Sequence, residues 1–313
     1  MANLVQTTYD RALEFALRAQ PLFRNVADKR PVQQAMPGSS VVFELYQDLA
    51  QAITPLNELV DPDAVAAGNP TTVSVTLNEY GNSILVSNKL DLFSFTDVTA
   101  GLVNQVAWNL GDSIDLVVQN VLAGGTNFIR RNGSASAAAQ AAPTYNTGTL
   151  AAIQQFDYFG SDMVRLGVAK LRTNKVHPNK GSFYTGYIHP EVSHDLRAET
   201  GNAGWRLPHT YSAPDNIWAG EIGEYEGMVF IETPRALNAL NAGTTPTRVF
   251  NTYMTGQQAL AEAVAEEFHT IRGPVVDKLT RFQPLGWYGV AGWSIYRQEA
   301  LIRAESTCSI HST

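Results

Sequence analysis

The segment HPEVSH, residues 189–194, places a glutamate between two histidines, a combination that can hold and use a zinc ion. In zinc proteases the two histidine ligands stand four residues apart on one face of a helix, with a glutamate between them as general base. Here His189 and His194 are five residues apart, so a helix would turn them to different faces. The spacing predicts a helix start with surface side chains and no metal site.

Other acidic residues offer no better candidate for chemistry. Asp61 and Asp63 lie in the sequence DPD, which lacks the following glycine and the distal glutamate of a calcium-binding loop. A second group is interpreted as the solvated face of a helix; it consists of Glu262, Glu266, Glu267 and His269. The chain also lacks a phosphate-binding P-loop, a G-x-S-x-G sequence and a dinucleotide fingerprint. We therefore predict no catalytic, cofactor-binding or metal-binding residue and no enzymatic activity.

Composition is that of a globular protein, with 44% apolar residues in 313. The net charge of −7 argues against a protein that gathers nucleic acid by neutralising phosphates, but it allows a wall around nucleic acid. No apolar run reaches the roughly 20 residues that span a bilayer, and no signal peptide is evident, so we expect a cytoplasm-like compartment and no membrane partner. The single cysteine, Cys308, excludes an intramolecular disulfide and is interpreted as a small apolar filler.

Two strand-forming segments require a partner surface. Ser39–Tyr46 and Thr71–Tyr80 alternate apolar with polar residues, which predicts the two arms of an extended hairpin. An isolated hairpin is marginally stable in water, and no neighbouring segment obviously covers its apolar side chains. We expect another copy of the chain to cover them; they are Val41, Phe43, Leu45, Val73, Val75 and Leu77.

The connection between the two arms, Asp48–Pro70, is long for a loop of a compact domain. It contains three prolines and a glycine among apolar residues that include Leu56 and Leu59. We interpret it as a contact tip in which Leu56 and Leu59 touch a neighbouring subunit.

A long amphipathic helix follows the hairpin. Its apolar residues recur at spacings of three and four from about Asp97 to Ala123, where two glycines end it, and Ser94 with Asp97 offers a capping box. Before the hairpin, residues 1–35 form a short, slightly basic arm. Such an arm is expected to lie across a neighbour rather than to form a domain.

The second half of the chain mixes helical and strand patterns. Helices are predicted over 153–172, 190–199 and 257–268, with a further short helix ending at Glu224. Strands are predicted over 182–188, 228–232 and 249–254, which indicates an alternating α and β lobe. The last forty residues are β-rich and are expected to return to the long helix.

The order of these parts resembles that of the major capsid proteins of tailed bacteriophages, which have the HK97-like fold. The resemblance covers nearly the whole chain. It rests on VTLNEYGNSILVSNKLDLF (75–93), the helix ending in AGG (123–125), YTGYIHPEVSHDLRAE (184–199), EIGEYEGMVFIETPRA (221–236), YMTGQQALAEAV (253–264) and PLGWYGVAGWSIYRQEALIRAESTCS (284–309). The implied fold is α+β, in five segments: an N-terminal arm (1–35), the E-loop hairpin (36–93), the spine helix with the P-domain (94–150), the A-domain (151–272) and a return to the P-domain sheet (273–313).

The resemblance also implies a function and partners. The subunit would self-assemble as hexamers and pentamers into an icosahedral head around double-stranded DNA, in the host cytoplasm, and would remain in the virion. A portal, a scaffolding protein and a decoration protein are the implied partners. The scaffold is expected to be a separate protein, because the chain has no long N-terminal extension that resembles a fused scaffolding domain. No lysine lies between Lys29 and Lys89, so the isopeptide cross-link that some members form from a hairpin lysine is chemically excluded.

One basic run allows two interpretations. Its residues, Arg165, Lys170, Arg172, Lys175 and Lys180, have no acidic residue among them. They form either the polar face of a helix with the loop after it, or a contact with packaged DNA or an acidic neighbouring subunit. Arg130 and Arg131 allow the same two interpretations.

Two alternatives to a phage head remain open at the level of sequence. An encapsulin-like compartment would use the same fold to enclose enzymes instead of DNA. A soluble α/β enzyme or ligand-binding protein would be a compact monomer or dimer with a convergent polar pocket, and it would leave the exposed hairpin without a purpose.

Overall fold

A computed structural model describes residues 22–31, 40–46, 49, 51–53, 55–56, 58, 61, 68–87, 89, 98–199, 221–236, 238–240, 242–244, 247–274, 277–279 and 281–310. In these residues the strands are β1 (Ala27–Pro31), β2 (Ser40–Leu45), β3 (Thr71–Thr76), β4 (Asn78–Ser87), β5 (Phe128–Arg130), β6 (Thr144–Tyr145), β7 (Tyr184–Ile188), β8 (Glu221–Tyr225), β9 (Met228–Glu232), β10 (Asn238–Ala239), β11 (Val249–Thr255), β12 (Leu260–Arg272), β13 (Phe282–Ile295) and β14 (Leu301–Ser306). The α-helices are α1 (Val98–Ala123), α2 (Ser161–Thr173) and α3 (Pro190–Ala198). The fold is therefore mixed α+β.

The smaller sheet has four strands in the order β1, β12, β13, β4. β12, β13 and β4 are antiparallel, and β1 runs parallel to the first five residues of β12. Alternate residues of β13 are buried in the main core, among them Leu285, Trp287 and Trp293. The indole N–H of Trp287 donates to Asn109 Oδ1 of α1 at 2.9 Å, so the long helix lies against this face of the sheet.

Helix α1 is held by an apolar stripe. Val106, Ile114, Val118 and Leu122 are buried at spacings of eight, four and four residues, as expected for one face of a helix. The amide of Gly125 donates to the carbonyl of Leu122 at 3.1 Å after the last turn. A Cβ at Gly125 would lie 2.9 Å from the Leu301 side chain, so glycine allows β14 to approach the end of α1.

The larger sheet has eight strands. Seven follow the order β6, β5, β14, β11, β7, β9, β8, and β10 pairs with β11. Every residue of β7 and β11 is buried, which is typical of central strands that are covered on both faces. Helix α2 contacts β14 and β5.

Several sequence predictions of secondary structure are confirmed. The hairpin arms pair as β2 and β3, the long helix is α1, and the segment 190–199 begins as helix α3. The β-rich tail is also confirmed, as β13 and β14. The capping box at Ser94 and Asp97 lies outside the described residues.

Other predictions are wrong. The segment 257–268 is not helical, because β12 occupies 260–272. Its Ala and Glu residues favour a helix intrinsically, but pairing with β13 and β1 overrides that weak preference. The described end of the segment predicted as a short helix, 221–224, lies in strand β8, and α2 begins at Ser161 instead of residue 153.

Strand pairing crosses the segment boundaries expected from the sequence. β12 lies within residues 151–272, but its partners are β1 and β13 in the four-stranded sheet. β14 lies within residues 273–313, but it sits between β5 and β11 in the eight-stranded sheet. The chain therefore passes from the larger sheet to the smaller and back between residues 249 and 306.

Candidate functional site

The hairpin of β2 and β3 has one apolar and one polar face. Val41 pairs with Val75 and Phe43 pairs with Val73, so their side chains share a face. On this face Phe43 and Val75 are buried, and Val41, Leu45, Val73 and Leu77 are partly buried. The opposite face, with Glu44, Ser74 and Thr76, is exposed.

The apolar face of the hairpin rests on the same chain. Phe43 and Val75 cluster with Ala261 and Ala263 of β12 and with Tyr296, which follows β13. The rings of Phe43 and Tyr296 meet edge to face with centroids 6.0 Å apart, and the Tyr296 hydroxyl donates to the carbonyl of Glu44 at 3.2 Å. We call this contact the hairpin seat.

Small residues make the seat possible. Gly292 is the cross-strand partner of Ala263, and a Cβ at Gly292 would clash with the backbone carbonyl of Thr76. The expectation that no segment of the same chain covers the hairpin's apolar face is therefore wrong for its base. The sequence does not predict the seat, because the pattern around Ala261 and Ala263 favours a helix. The signal that could have found it is the alternation of Leu260, Glu262 and Val264 with these two alanines.

Beyond the seat, the hairpin exposes apolar side chains. Tyr46, Leu49 and Ile53 are exposed, and Leu56, one of the predicted contact residues, is 78% exposed. Val42, on the outer face of β2, is also more than half exposed. Leu59 lies outside the described residues. We call Tyr46, Leu49, Ile53 and Leu56 the exposed tip group.

The described part of the N-terminal arm is built into the core. The amides of Leu22 and Phe23 donate to Asp115 Oδ1 of α1 at 2.9 and 2.8 Å, and Arg235 Nη1 donates to the other carboxylate oxygen at 2.9 Å. Burial raises the pKa of Asp115, and the three backbone amides of residues 22–24 oppose that shift. The ring of Phe23 is fully buried and packs on Tyr187 and Tyr253 of the larger sheet.

A second anchor joins the arm to the smaller sheet. Arg24 Nε donates to Glu262 Oε1 at 2.7 Å, and Glu262 is completely buried. Strand β1 then adds to the edge of β12. For residues 22–31 the expectation that the arm lies across a neighbour is therefore wrong, and Glu262 is not part of a solvated helical face. The expectation for residues 1–21 falls outside the described residues.

The basic run divides along α2 and the turn after it. Arg165 and Arg172 are exposed on α2, and Lys175 and Lys180 are exposed beyond its end. Lys170 is half-buried, with Nζ 5.0 Å from the centre of the Tyr145 ring. By contrast, Arg130 and Arg131 are buried and ion-paired, with Glu305 and Asp162 respectively. The two buried arginines are thus committed inside the subunit.

The histidine pair does not converge. His189 is buried, its Nδ1 accepts the amide of Glu191 at 3.3 Å at the start of α3, and its ring lies 4.9 Å from that of Phe250. His194 is exposed, and its Nδ1 lies 3.3 Å from Asp195 Oδ1. Within the described residues, no three His, Cys, Asp or Glu side chains form a group that could hold a metal ion. Cys308 is buried after β14.

A polar cleft of about 610 Å³ lies beside the start of α2. Several of its polar side chains bond to one another or to the adjoining backbone. Arg131 pairs with Asp162, Glu199 accepts the amide and hydroxyl of Ser161, and Asp195 accepts the amide of Ser309 at 2.7 Å. These pairs stabilise the junction of α2, α3 and the C-terminal residues. Among the described helices, none is long and apolar enough to cross a bilayer.

Comparison with solved structures identifies the fold. The capsid of Cyanophage P-SCSP1u is 13% identical with a TM-score of 0.70, and 98% of this chain and 94% of that chain are covered. The acidic stable capsid of Helicobacter pylori bacteriophage KHP30 is 12% identical with a TM-score of 0.70, and 98% of this chain and 96% of that chain are covered. The structure of Mycobacterium phage Che8 is 15% identical with a TM-score of 0.63, and 97% of this chain and 98% of that chain are covered. At these identities the likeness establishes a shared HK97-like fold.

Comparison of the sequence supplies the family. No curated protein matches the chain. The family described as phage capsid protein matches residues 3–300, which is nearly the whole length of 313. The chain therefore belongs to the phage capsid protein family and is a tailed-phage major capsid protein, a structural component of the virion that associates with copies of itself.

Proposed function

We propose that the hairpin divides its work between the subunit and the shell: its base fixes it to the subunit, and its tip contacts a neighbouring subunit. The observation that carries this proposal is the exposed tip group on a hairpin whose apolar face is already covered at its base by the same chain. The tip group supplies four exposed apolar side chains within residues 46–56, and exposed apolar surface marks an interaction site when it gathers into a large patch. A structural capsid protein needs such a contact in every copy.

The energetics favour many modest contacts. Burying apolar surface stabilises by roughly 25 cal/mol per Å², and association entropy removes much of the gain from any one contact. A closed shell repeats each contact in every subunit, so the sum is large although each contact is weak. The seat adds to this by fixing the base of the hairpin before assembly, which lowers the entropy lost when the tip docks.

The wider assembly is proposed on the same family membership. Subunits form hexamers and pentamers in an icosahedral head around double-stranded DNA, assembled in the host cytoplasm, with a portal, a separate scaffolding protein and a decoration protein as partners. The chain acts without catalysis. Its parts are the arm, the E-loop hairpin, the spine helix with the P-domain, the A-domain lobe, and a C-terminal return, with β12 joining the smaller sheet and β14 the larger. Three basic side chains are exposed on and just after α2: Arg165, Arg172 and Lys175. They contact either the packaged DNA, without sequence specificity, or an acidic neighbouring subunit, and Lys170 lies beside them.

The tip is tested by the double variant Ile53→Ser, Leu56→Ser. We expect each substitution to change the free energy of unfolding by no more than about 0.5 kcal/mol, because both side chains are exposed. We also expect at least a tenfold loss of closed shells in electron micrographs. The matched control is Leu240→Ser, Leu279→Ser, which removes two other exposed leucines from other loops. Normal shells from the tip variant, or an equal loss in the control, would contradict a special role for the tip.

A further inference from the structure

The four-stranded sheet has two free edges of different character. β1 covers only residues 260–264 of β12, so residues 265–272 form one free edge among the described strands. Among the described strands, β4 is the last on the other side and forms the second free edge. A free edge presents unpaired N–H and C=O groups to any passing strand, and proteins guard such edges against unwanted pairing.

The β12 edge carries several guards. The register of β12 against β13 shifts twice, between Val264 and Glu266 and between Glu266 and His269, and such bulges bend an edge away from a partner strand. The exposed residues there include Glu266, Glu267 and Arg272. The ring Nδ1 of His269 lies 2.9 Å from the carbonyl of Glu267, so that acceptor already has a neighbour. These features oppose pairing of this edge with a further strand.

The β4 edge has few features that would protect it against pairing. Its ten residues pair with β13 in ten consecutive steps without a bulge, and they include one charge, Glu79, with no lysine or proline. Leu85 is 61% exposed. The amide of Ser83 donates to the side chain of its own neighbour, Asn82 Oδ1, at 2.9 Å, so this amide points away from β13. A carbonyl of an incoming strand can replace that local bond.

We propose that β4 pairs antiparallel with β4 of a second copy of this chain, about a two-fold axis at Ser83. Alternate residues of a strand direct their backbone groups to the same side, so the outward residues are those in step with Ser83, among them Glu79, Gly81 and Leu85. Pairing about Ser83 sets Leu85 opposite Gly81 and Glu79 opposite Ser87. No like charges face each other, and the two four-stranded sheets become one sheet of eight strands.

The shape of the surface favours this register. Leu85 would face a position without a side chain, beside a shallow groove of about 310 Å³ lined by Gly81, Ser83, Ile271, Pro284 and Gly286. The next allowed registers are shifted by two residues: one sets Leu85 opposite the charged Glu79, the other sets it opposite Ser83, and both lose this fit. The large exposed residue and the small one therefore complement each other in two copies of the same strand. This contact is separate from the tip group and does not depend on it.

Cross-linking tests the two-fold contact. In a hydrogen-bonded antiparallel pair the Cα atoms lie about 5.5 Å apart, so Ser83→Cys in assembled shells should give covalent dimers with a short bis-maleimide. The only natural cysteine, Cys308, is buried and stays in place. The matched control, Glu267→Cys, puts a thiol on the guarded edge and should stay monomeric. Monomers from both variants in intact shells, or dimers from both, would overturn the proposal.

Hydrogen exchange on the unchanged chain provides a second test that needs no substitution and applies even if Ser83→Cys fails to fold. Assembly should slow exchange at least tenfold for the outward amides of residues 78–87 and leave residues 265–272 unaffected. Unchanged exchange in 78–87 would refute strand pairing there. Protection of 78–87 without Ser83 cross-links in intact shells would assign the edge to a different strand and overturn the two-fold contact. Shell formation by the Ile53→Ser, Leu56→Ser variant tests the tip group alone and does not bear on this contact.

Discussion

The base and the tip of the hairpin belong to one element but meet different surroundings. At the base, Phe43 and Val75 are buried against Ala261, Ala263 and Tyr296 of the same chain. At the tip, Ile53 and Leu56 have nearly the exposure of free side chains. The comparison teaches that an extended element can be held by its subunit and still keep apolar surface for a neighbour. The arm resembles the hairpin base in this respect, because residues 22–31 are also held by their own subunit.

The largest effect is expected from emptying the seat. Phe43→Ala should lower the free energy of unfolding of the isolated subunit by about 3–5 kcal/mol, since it removes a buried aromatic side chain. Chemical denaturation of unassembled subunits measures the loss. Val42→Ala, one residue away on the exposed face, is the control and should change stability by less than about 1 kcal/mol. Equal losses from both would mean that the seat is not formed before assembly.

The arm anchor gives the next effect. Arg24→Ala leaves the fully buried Glu262 carboxylate without its cation and should cost roughly 3 kcal/mol of unfolding free energy. Adding Glu262→Gln to that variant should recover part of the loss, because the second substitution removes the buried charge. If the single and double variants are equally unstable, the ion pair does not hold the arm in place.

A smaller effect tests the close approach at the seat. Gly292→Ala places a Cβ against the backbone of Thr76 and should destabilise the subunit by about 1–3 kcal/mol, because the hairpin must move away. Gly68→Ala is the matched control, since a Cβ there meets nothing within 4 Å. Denaturation midpoints for both variants decide the point, and a neutral Gly292→Ala would disprove the tight contact.

The smallest expected effect is a loss of stability in alkaline solution, which should depend on the buried Tyr187 and not on the exposed Tyr46 of the hairpin. Burial, with a contribution from the Asp115 carboxylate, raises the pKa of Tyr187 to about 12. An unfolded tyrosine ionises near 10, so this stabilisation is complete below pH 10 and is lost as the pH rises towards 12, with about 1 kcal/mol gone by pH 11.

Unfolding free energies between pH 9 and 11 check this prediction. Tyr187→Phe should flatten the alkaline decline by that amount. Tyr46→Phe, at the exposed end of β2, should leave the slope nearly unchanged because solvent screens its interactions. The same slope for Tyr187→Phe and the unchanged chain would contradict the burial of Tyr187.

Much of the fold could be predicted because its signals are local. The alternation in β2 and β3 and the three-and-four spacing in α1 are readable within one segment. β12 was missed because its Ala-Glu sequence favours a helix, and only its partners β1 and β13 make it a strand.

The seat and the arm anchors could not be predicted for a different physical reason. Alanine and glycine at the seat give no hydrophobic signal, and Tyr296 bonds to a carbonyl 252 residues earlier in the chain. Asp115 looks like an ordinary helical carboxylate until the fold brings Phe23 and Arg235 to it. Contacts of this kind are decided by tertiary structure, which a single sequence does not display.

Hydroxyl-radical footprinting of free subunits and of closed shells tests the division of the hairpin most directly. Phe43 should resist oxidation in both samples, and Ile53 and Leu56 should react in free subunits and become protected in shells. If Phe43 reacts in free subunits as fast as Leu56, or if Ile53 and Leu56 react equally in both samples, the hairpin does not combine a fixed base with a docking tip.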